Sequence, residues 1–211
     1  MKITDVISRC FKRNKKPSVL KVLSVLLYYN NASFRGISKS ISFLCKVSHE
    51  AVRQWWLSIK GLFAIEKKER RILAIDETKV KVNGIQCYVW AVIDVETKEI
   101  LSTLVTFSRS HLDTMTIMKK ALKFCTNKPL VLTDGGPWYP WAIKRLGCSW
   151  QHKTRGLRNH IERWFGRFKF KIKNFFKNFR GINIHSGIDN IQKFLNSFVD
   201  LYHVLIVANW R

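Results

Sequence analysis

Ile72-Leu73-Ala74-Ile75-Asp76-Glu77-Thr78 is an apolar, partly β-branched run that ends on two carboxylates, in a chain otherwise crowded with cations. Bounded by Arg71 and the acidic pair, it reads as a buried strand. A carboxylate at the end of such a strand loses hydration, which is costly unless the acid is paired or holds a metal. Asp76 is therefore a candidate functional residue on local chemistry alone. Side chains alternate along a strand, so Glu77 faces the other way and is expected to support the site with Thr78 and not to act as a ligand.

Downstream of this strand the pattern stays extended. A turn at Asn83-Gly84 leads into Ile85–Val95, and Asp94–Lys98 reads as a hairpin turn into Ile100–Phe107, with Asp94 a turn residue. Helical spacing runs from His111 to Cys125 through Met115, Met118, Ala121 and Leu122, with Asp113 at its start. Pro129-Leu130-Val131-Leu132-Thr133-Asp134 is a second apolar strand delivering a carboxylate, stopped by Gly135-Gly136-Pro137. A helix over Trp138–Leu146, a short strand over Cys148–His152, a helix over Arg158–Lys177 and a last amphipathic helix over Ser186–Val207 complete the chain. Hairpins first and β–α–β alternation later predict an α/β fold, a mixed sheet flanked by helices.

Upstream the reading is all-α. Residues 1–16 are a basic arm with little pattern. From Pro17, Val19, Leu20, Val22, Leu23, Val25, Leu26 and Leu27 recur with helical spacing until Asn30-Asn31. A second helix from about Ser33 carries Phe34, Ile37 and Ile41 on one face. Ser48 caps a third, with Glu50 in its first turn and Val52, Trp55, Trp56 and Ile59 following. Three short helices with a tight last turn over 17–62 predict a helix-turn-helix, whose final helix enters the major groove. His49, Arg53 and Gln54 are the residues placed to meet bases or phosphates. Residues 63–71 form a charged connector.

The composition names the partner. In 211 residues, 38 Lys and Arg against 14 Asp and Glu give +24, an excess that attracts polyphosphate and makes binding salt-dependent. With 46% hydrophobic and 13% aromatic residues, the chain has what a folded core requires. Double-stranded DNA is thus expected ahead of an anionic membrane surface. The five scattered cysteines and the absence of an apolar secretion segment or span predict a reducing, cytoplasmic setting, in association with the nucleoid.

Acids are scarce where the second strand ends. Between Asp113 and Asp189 the chain has only Asp134 and Glu162, the latter on a helix whose polar positions include Arg158, Arg163, Arg167 and Lys169. An acid on such a helix can be an ordinary intrahelical ion-pair partner. Three carboxylates meeting at one point, in contrast, need cations, and oxygen-only donors select magnesium or manganese. Two such ions roughly 3.5–4 Å apart clamp the attacking and leaving oxygens of a phosphodiester. Lys169, Arg163, Arg167 and Arg158 would hold the DNA backbone. Trp138 and Trp164 are candidates to stack on an end base, and Phe168, Phe170, Phe175, Phe176 and Phe179 interleave with Lys169, Lys171, Lys173 and Lys177 as apolar and basic faces.

These pieces together carry a resemblance. Ala32-Ser33-Phe34-Arg35-Gly36-Ile37 and Val47-Ser48-His49-Glu50-Ala51-Val52-Arg53-Gln54-Trp55 come first, then Asp76-Glu77-Thr78 and Val89-Trp90-Ala91-Val92-Ile93-Asp94. Thr133-Asp134-Gly135-Gly136 and Arg158-Asn159-His160-Ile161-Glu162-Arg163 follow, in the same order as in transposases of the Asp-Asp-Glu class from prokaryotic insertion sequences. The chain resembles most the type catalogued as insertion sequence family six, from about Pro17 onward, with a shorter segment between Asp134 and Glu162 than that group has. The resemblance implies a ribonuclease-H-like domain over 72–185 and a C-terminal helix over 186–211 packed on it. It implies Asp76, Asp134 and Glu162 as catalytic, metal-binding triad for two magnesium or manganese ions. It implies cleavage at the terminal inverted repeats and joining to target DNA, by a homodimer or larger assembly that holds both ends. A helix-turn-helix DNA-binding protein without catalysis is the alternative, needing only the N-terminal module and the charge.

Overall fold

The computed structural model describes residues 3–11, 15–82, 84–153, 156, 159–173 and 183–207. The chain divides into two compact units, one of residues Met1–Ala64 with Lys193–Arg211, the other of Ile65–Gln192.

The first unit is helical. α1 (Ile3–Ser8), α2 (Ser18–Tyr29), α3 (Phe34–Ile41) and α4 (His49–Ser58) follow one another. Ser33 accepts from the Gly36 N–H and Ser48 from the Ala51 N–H, so each of the last two helices starts on a side-chain cap. The Ser38 hydroxyl donates to the Val47 carbonyl at 2.6 Å, which ties α3 to the turn before α4. Val22, Val25, Ile37, Ile41, Val52, Trp55, Trp56 and Ile59 are buried in this helical unit, as their helical spacing predicts. The residues read as a patternless arm differ from that expectation: α1 lies within them, with Val6 and Ile7 adjacent in its sequence, and Ile7 is fully buried where this short helix packs on α2.

The second unit is built on a five-stranded sheet of order β3-β2-β1-β4-β5. β1 (Ile72–Val82), β2 (Ile85–Asp94) and β3 (Ile100–Thr106) are an antiparallel meander, turned first at Gly84 with φ +81. β4 (Leu130–Thr133) pairs parallel with β1, and β5 (Ser149–His152) parallel with β4. Between them run α5 (His111–Leu122) and α6 (Tyr139–Arg145), and α7 (Asn159–Lys173) and α8 (Ile184–Val207) follow. This mixed order with helices on its faces is the ribonuclease-H-like arrangement that the resemblance implies.

Alternation along β1 assigns the two faces. Leu73 and Ile75 join Trp90, Val92, Val131, Ile117, Met118, Tyr139 and Ile143 in the core under α5 and α6. Ala74, Asp76 and Thr78 therefore face the other side, where α7 packs against β1 and β2. The start of α8 lies on that side too: a Cβ on Gly187 would meet Val82 Cγ1 at 2.6 Å, and Gln192 Nε2 donates to Thr103 Oγ1 at 3.2 Å.

Two further features depart from the sequence reading. The connector is not merely a charged link, since Arg70 is 1% exposed and donates to Asp94 at 2.5 Å and Glu99 at 2.7 Å. Asp94 also accepts from the N–H groups of Glu96 and Thr97, so it is both turn residue and buried counter-ion. The C-terminal helix was expected to sit on the catalytic domain as a whole. In the structure its residues from Lys193 group with the N-terminal helices, because Phe194 stacks on Trp56 and Phe198 on Tyr29. Among the described residues no helix is long and apolar enough to cross a membrane.

Candidate active site

Strand register brings the two aspartates together. β1 and β4 pair in parallel as Leu73 with Val131 and Ala74 with Leu132. Carried two residues further, that register sets Asp76 level with Asp134 on the same face, on strands about 4.8 Å apart. Asp76 is half-buried and its Oδ1 accepts from the Glu77 N–H at 2.9 Å. Asp134 is half-buried as well, and its Oδ1 accepts from the Gly136 N–H at 3.1 Å, which closes the loop over the strand end. Gly136 is needed there, since a Cβ would stand 2.8 Å from the Trp138 ring.

Glu162 arrives from a different element. It lies in the first turn of α7 and is exposed. Its neighbours Ile161 and Phe165 belong to the stripe Ile161, Trp164, Phe165, Phe168 and Ile172 that buries the helix. Glu162 thus stands at the rim of a helix on the Asp76 face of the sheet. Among the described residues no three His, Cys, Asp or Glu side chains are gathered to hold a metal ion. The β1–β4 register sets Asp76 and Asp134 level, and Glu162 lies on α7, the helix that packs on the same face of the sheet. The donor set is oxygen throughout, which suits a hard divalent cation.

The basic residues sort by exposure. Arg163, Arg167 and Lys169 are exposed on α7, while Arg158 lies outside the described residues. The expected interleaving of Phe and Lys along this helix is corrected, because a helix repeats every 3.6 residues and not every two. Phe168 is buried but Phe170 is 65% exposed, and Lys171 is buried at 5% where a basic face was expected. Burial pushes the Lys171 ammonium down to about 7. Phe175, Phe176, Phe179 and Lys177 lie outside the described residues.

In the helical unit, His49, Arg53 and Gln54 are all exposed at the start of α4. Glu50 organises two of them. Arg53 donates to it through Nε at 2.8 Å and Nη2 at 2.6 Å, and Gln54 Nε2 at 2.8 Å. The hydrogen bonds from Arg53 and then Gln54 hold the Glu50 carboxyl down at about 2.

Behind Asp76 is a cluster that sequence reading did not find. The Glu77 side chain, 6% exposed, accepts from the Tyr139 hydroxyl and from Arg109 at 3.3 Å. Arg109 also lies 4.4 Å from the Trp138 ring centroid and 4.9 Å from that of Tyr88. Burial, with the Glu77 carboxylate beside it, raises the Tyr139 hydroxyl well above the ordinary phenol range. The available signal was the alternation rule itself, which puts Glu77 into a core where an acid must have partners. Neither tryptophan suggested for base stacking is presented for it. Trp164 is 1% exposed and stacked on Phe168, and Trp138 is covered by Arg109.

Comparison with known proteins adds a family, two relatives and two similar solved structures. The family model of the DDE domain of IS240-type transposases matches residues 71–199. An uncharacterized protein of Methanocaldococcus jannaschii, MJ0017, is 42% identical over 196 residues, 92% of this chain and 90% of its own length. An uncharacterized protein of Aquifex aeolicus, aq_aa24, is 50% identical over 48 residues, 23% of this chain and 40% of its own. Among solved structures, the magnesium complex of the HTLV-2 integrase catalytic core domain in its dimeric form aligns with TM-score 0.46 and 16% identity, over 62% of this chain and 84% of that one. The simian T-cell lymphotropic virus intasome aligns with TM-score 0.48 and 11% identity, over 89% and 69%.

Proposed function

The chain belongs to the family of IS240-type DDE transposase domains, and on that premise we propose that it is a transposase that cuts DNA at insertion-sequence ends and joins the freed 3′-hydroxyls to target DNA. The observation that supports this most is the parallel β1–β4 register, which, carried two residues further, sets Asp76, inside β1, level with Asp134, just past the carboxyl end of β4. Ligands of open α/β sheets bind beyond carboxyl ends such as that of β4.

Asp76, Asp134 and Glu162 would hold two magnesium or manganese ions, which supply activation of the attacking oxygen and stabilisation of the leaving oxyanion. The remaining work belongs to the chain's own side chains. Arg163, Arg167, Lys169 and Arg158 bind the backbone phosphates of the reacting strand. His49, Arg53 and Gln54 on α4 read the terminal inverted repeats from the major groove. Two ends must be held at once, so the working form is a homodimer or larger assembly on double-stranded DNA.

Single replacement of Asp76, Asp134 or Glu162 by Ala should abolish strand joining in magnesium or manganese while end binding in a gel-shift assay persists. Joining retained by any one variant removes that residue from the triad. Binding by the unaltered chain without nicking would favour a helix-turn-helix DNA-binding protein without catalysis. Nicking without joining would mark a nuclease.

A further inference from the structure

Trp141 is the tryptophan that this fold presents to solvent beside the Asp134 loop. Its side chain is 53% exposed on α6, the helix that leaves that loop. The indole is also held in place. His111 meets it edge to face with centroids 5.6 Å apart, and His111 Nδ1 donates to the Trp138 carbonyl at 3.1 Å. Tyr139, Ala142 and Ile143 bury the opposite side of α6, which fixes how the helix is turned.

The same side of α6 carries charge. Lys144 and Arg145 follow Trp141 at three and four residues, so they share its face one helical turn on, and both are exposed. An aromatic face with two cations a turn away matches a nucleotide whose base has left its stack: the base lies on the indole and the phosphates reach the cations. A base within a duplex has no free face to offer.

We propose that Trp141, with Lys144 and Arg145, is a binding platform for an unpaired nucleotide at the DNA end. This rests on the reading of the chain as a DNA strand transferase. The platform grips a single-stranded end and contributes nothing to fully paired DNA beyond the charge of its two cations.

The test uses the full chain and two labelled DNAs of one duplex sequence, one blunt and one with a short single-stranded overhang, in fluorescence anisotropy. Trp141→Ala should weaken binding of the overhang DNA by about 5- to 150-fold, the effect of losing one base–aromatic stack. Blunt DNA should bind it as it binds the unaltered chain, and Trp141→Phe should recover most of the loss. Equal losses on both DNAs, or no loss on either, overturn the platform. So does a change in self-association of Trp141→Ala without DNA, which would make the indole a contact between copies. If the unaltered chain binds neither DNA, the transposase reading falls with it; if it binds both and Trp141→Ala changes neither, only the platform falls.

Discussion

The Tyr139 hydroxyl donates to the Glu77 carboxylate, and so ties the residue after Asp76 to the helix that leaves the Asp134 loop. Arg109 completes the clasp from the segment before α5, over the Trp138 ring. The two aspartates face one side of the sheet, and the contact that ties the middle of β1 to the helix after β4 lies on the opposite side.

Breaking this clasp should cost stability in a defined order. Tyr139→Phe removes one donor from a buried acid and should cost about 1–3 kcal/mol. Arg109→Met leaves the acid without its counter-ion; with the guanidinium 31% exposed, the cost should fall near the low end of about 3–5 kcal/mol. Glu77→Gln still accepts from Tyr139 and should cost less than Arg109→Met. Urea denaturation midpoints check the order, and Glu77→Gln as the most damaging of the three would contradict it.

Lys171 should make stability rise with pH. Its folded value of about 7 lies below the ordinary 10.5, so between these values the unfolded chain binds more protons than the folded one. The destabilisation is complete below about 7 and vanishes above about 10.5. Lys171→Met should stabilise the protein at neutral pH by on the order of 1–3 kcal/mol and flatten the stability profile over that window. A profile unchanged by the substitution would show that Lys171 does not titrate there.

The α4 surface should bind DNA more tightly once Glu50 is neutralised. Arg53 and Gln54 are engaged by that carboxylate in the free chain. Its folded value of about 2 lies below the ordinary 4.5, so the pairing is intact above the ordinary range and fades only as pH falls through about 2. Acid therefore does not release Arg53 under binding conditions, whereas Glu50→Gln does. Affinity should rise, and the log–log salt slope should steepen by up to about 0.9 if Arg53 reaches a phosphate. Arg53→Ala should weaken binding, and equal affinity in Glu50→Gln would place α4 away from DNA.

Much of this was legible from local pattern. Leu130-Val131-Leu132-Thr133, stopped after Asp134 by Gly135-Gly136, mark β4, and Ser48 marks the start of α4, because strand periods and caps are properties of a few adjacent residues. Asp134 was legible as a strand-terminal acid for the same reason, whereas Asp76, read as the end of its strand, lies inside β1, which runs on to Val82 because Thr78, Val80 and Val82 continue the alternation and pair with β2. What escaped depends on partners distant in the chain. Nothing in Glu66-Lys67-Lys68-Glu69-Arg70-Arg71 distinguishes Arg70, whose burial comes from Asp94 and Glu99 meeting it in three dimensions. The Glu77 clasp needs α5 and α6 to be in place, and the burial of Lys171 against the exposure of Phe170 needs the rotational phase of α7. The division of α8 between units is set by Trp56 and Tyr29, which lie far upstream.

Manganese binding, followed by calorimetry on the unaltered chain and on Asp76→Asn and Asp134→Asn, tests the central claim most directly. If the β1–β4 register makes one site of the two carboxylates, each variant should lose the same high-affinity binding, by about tenfold or more, while its fold is kept. Undiminished manganese affinity in either variant would contradict it.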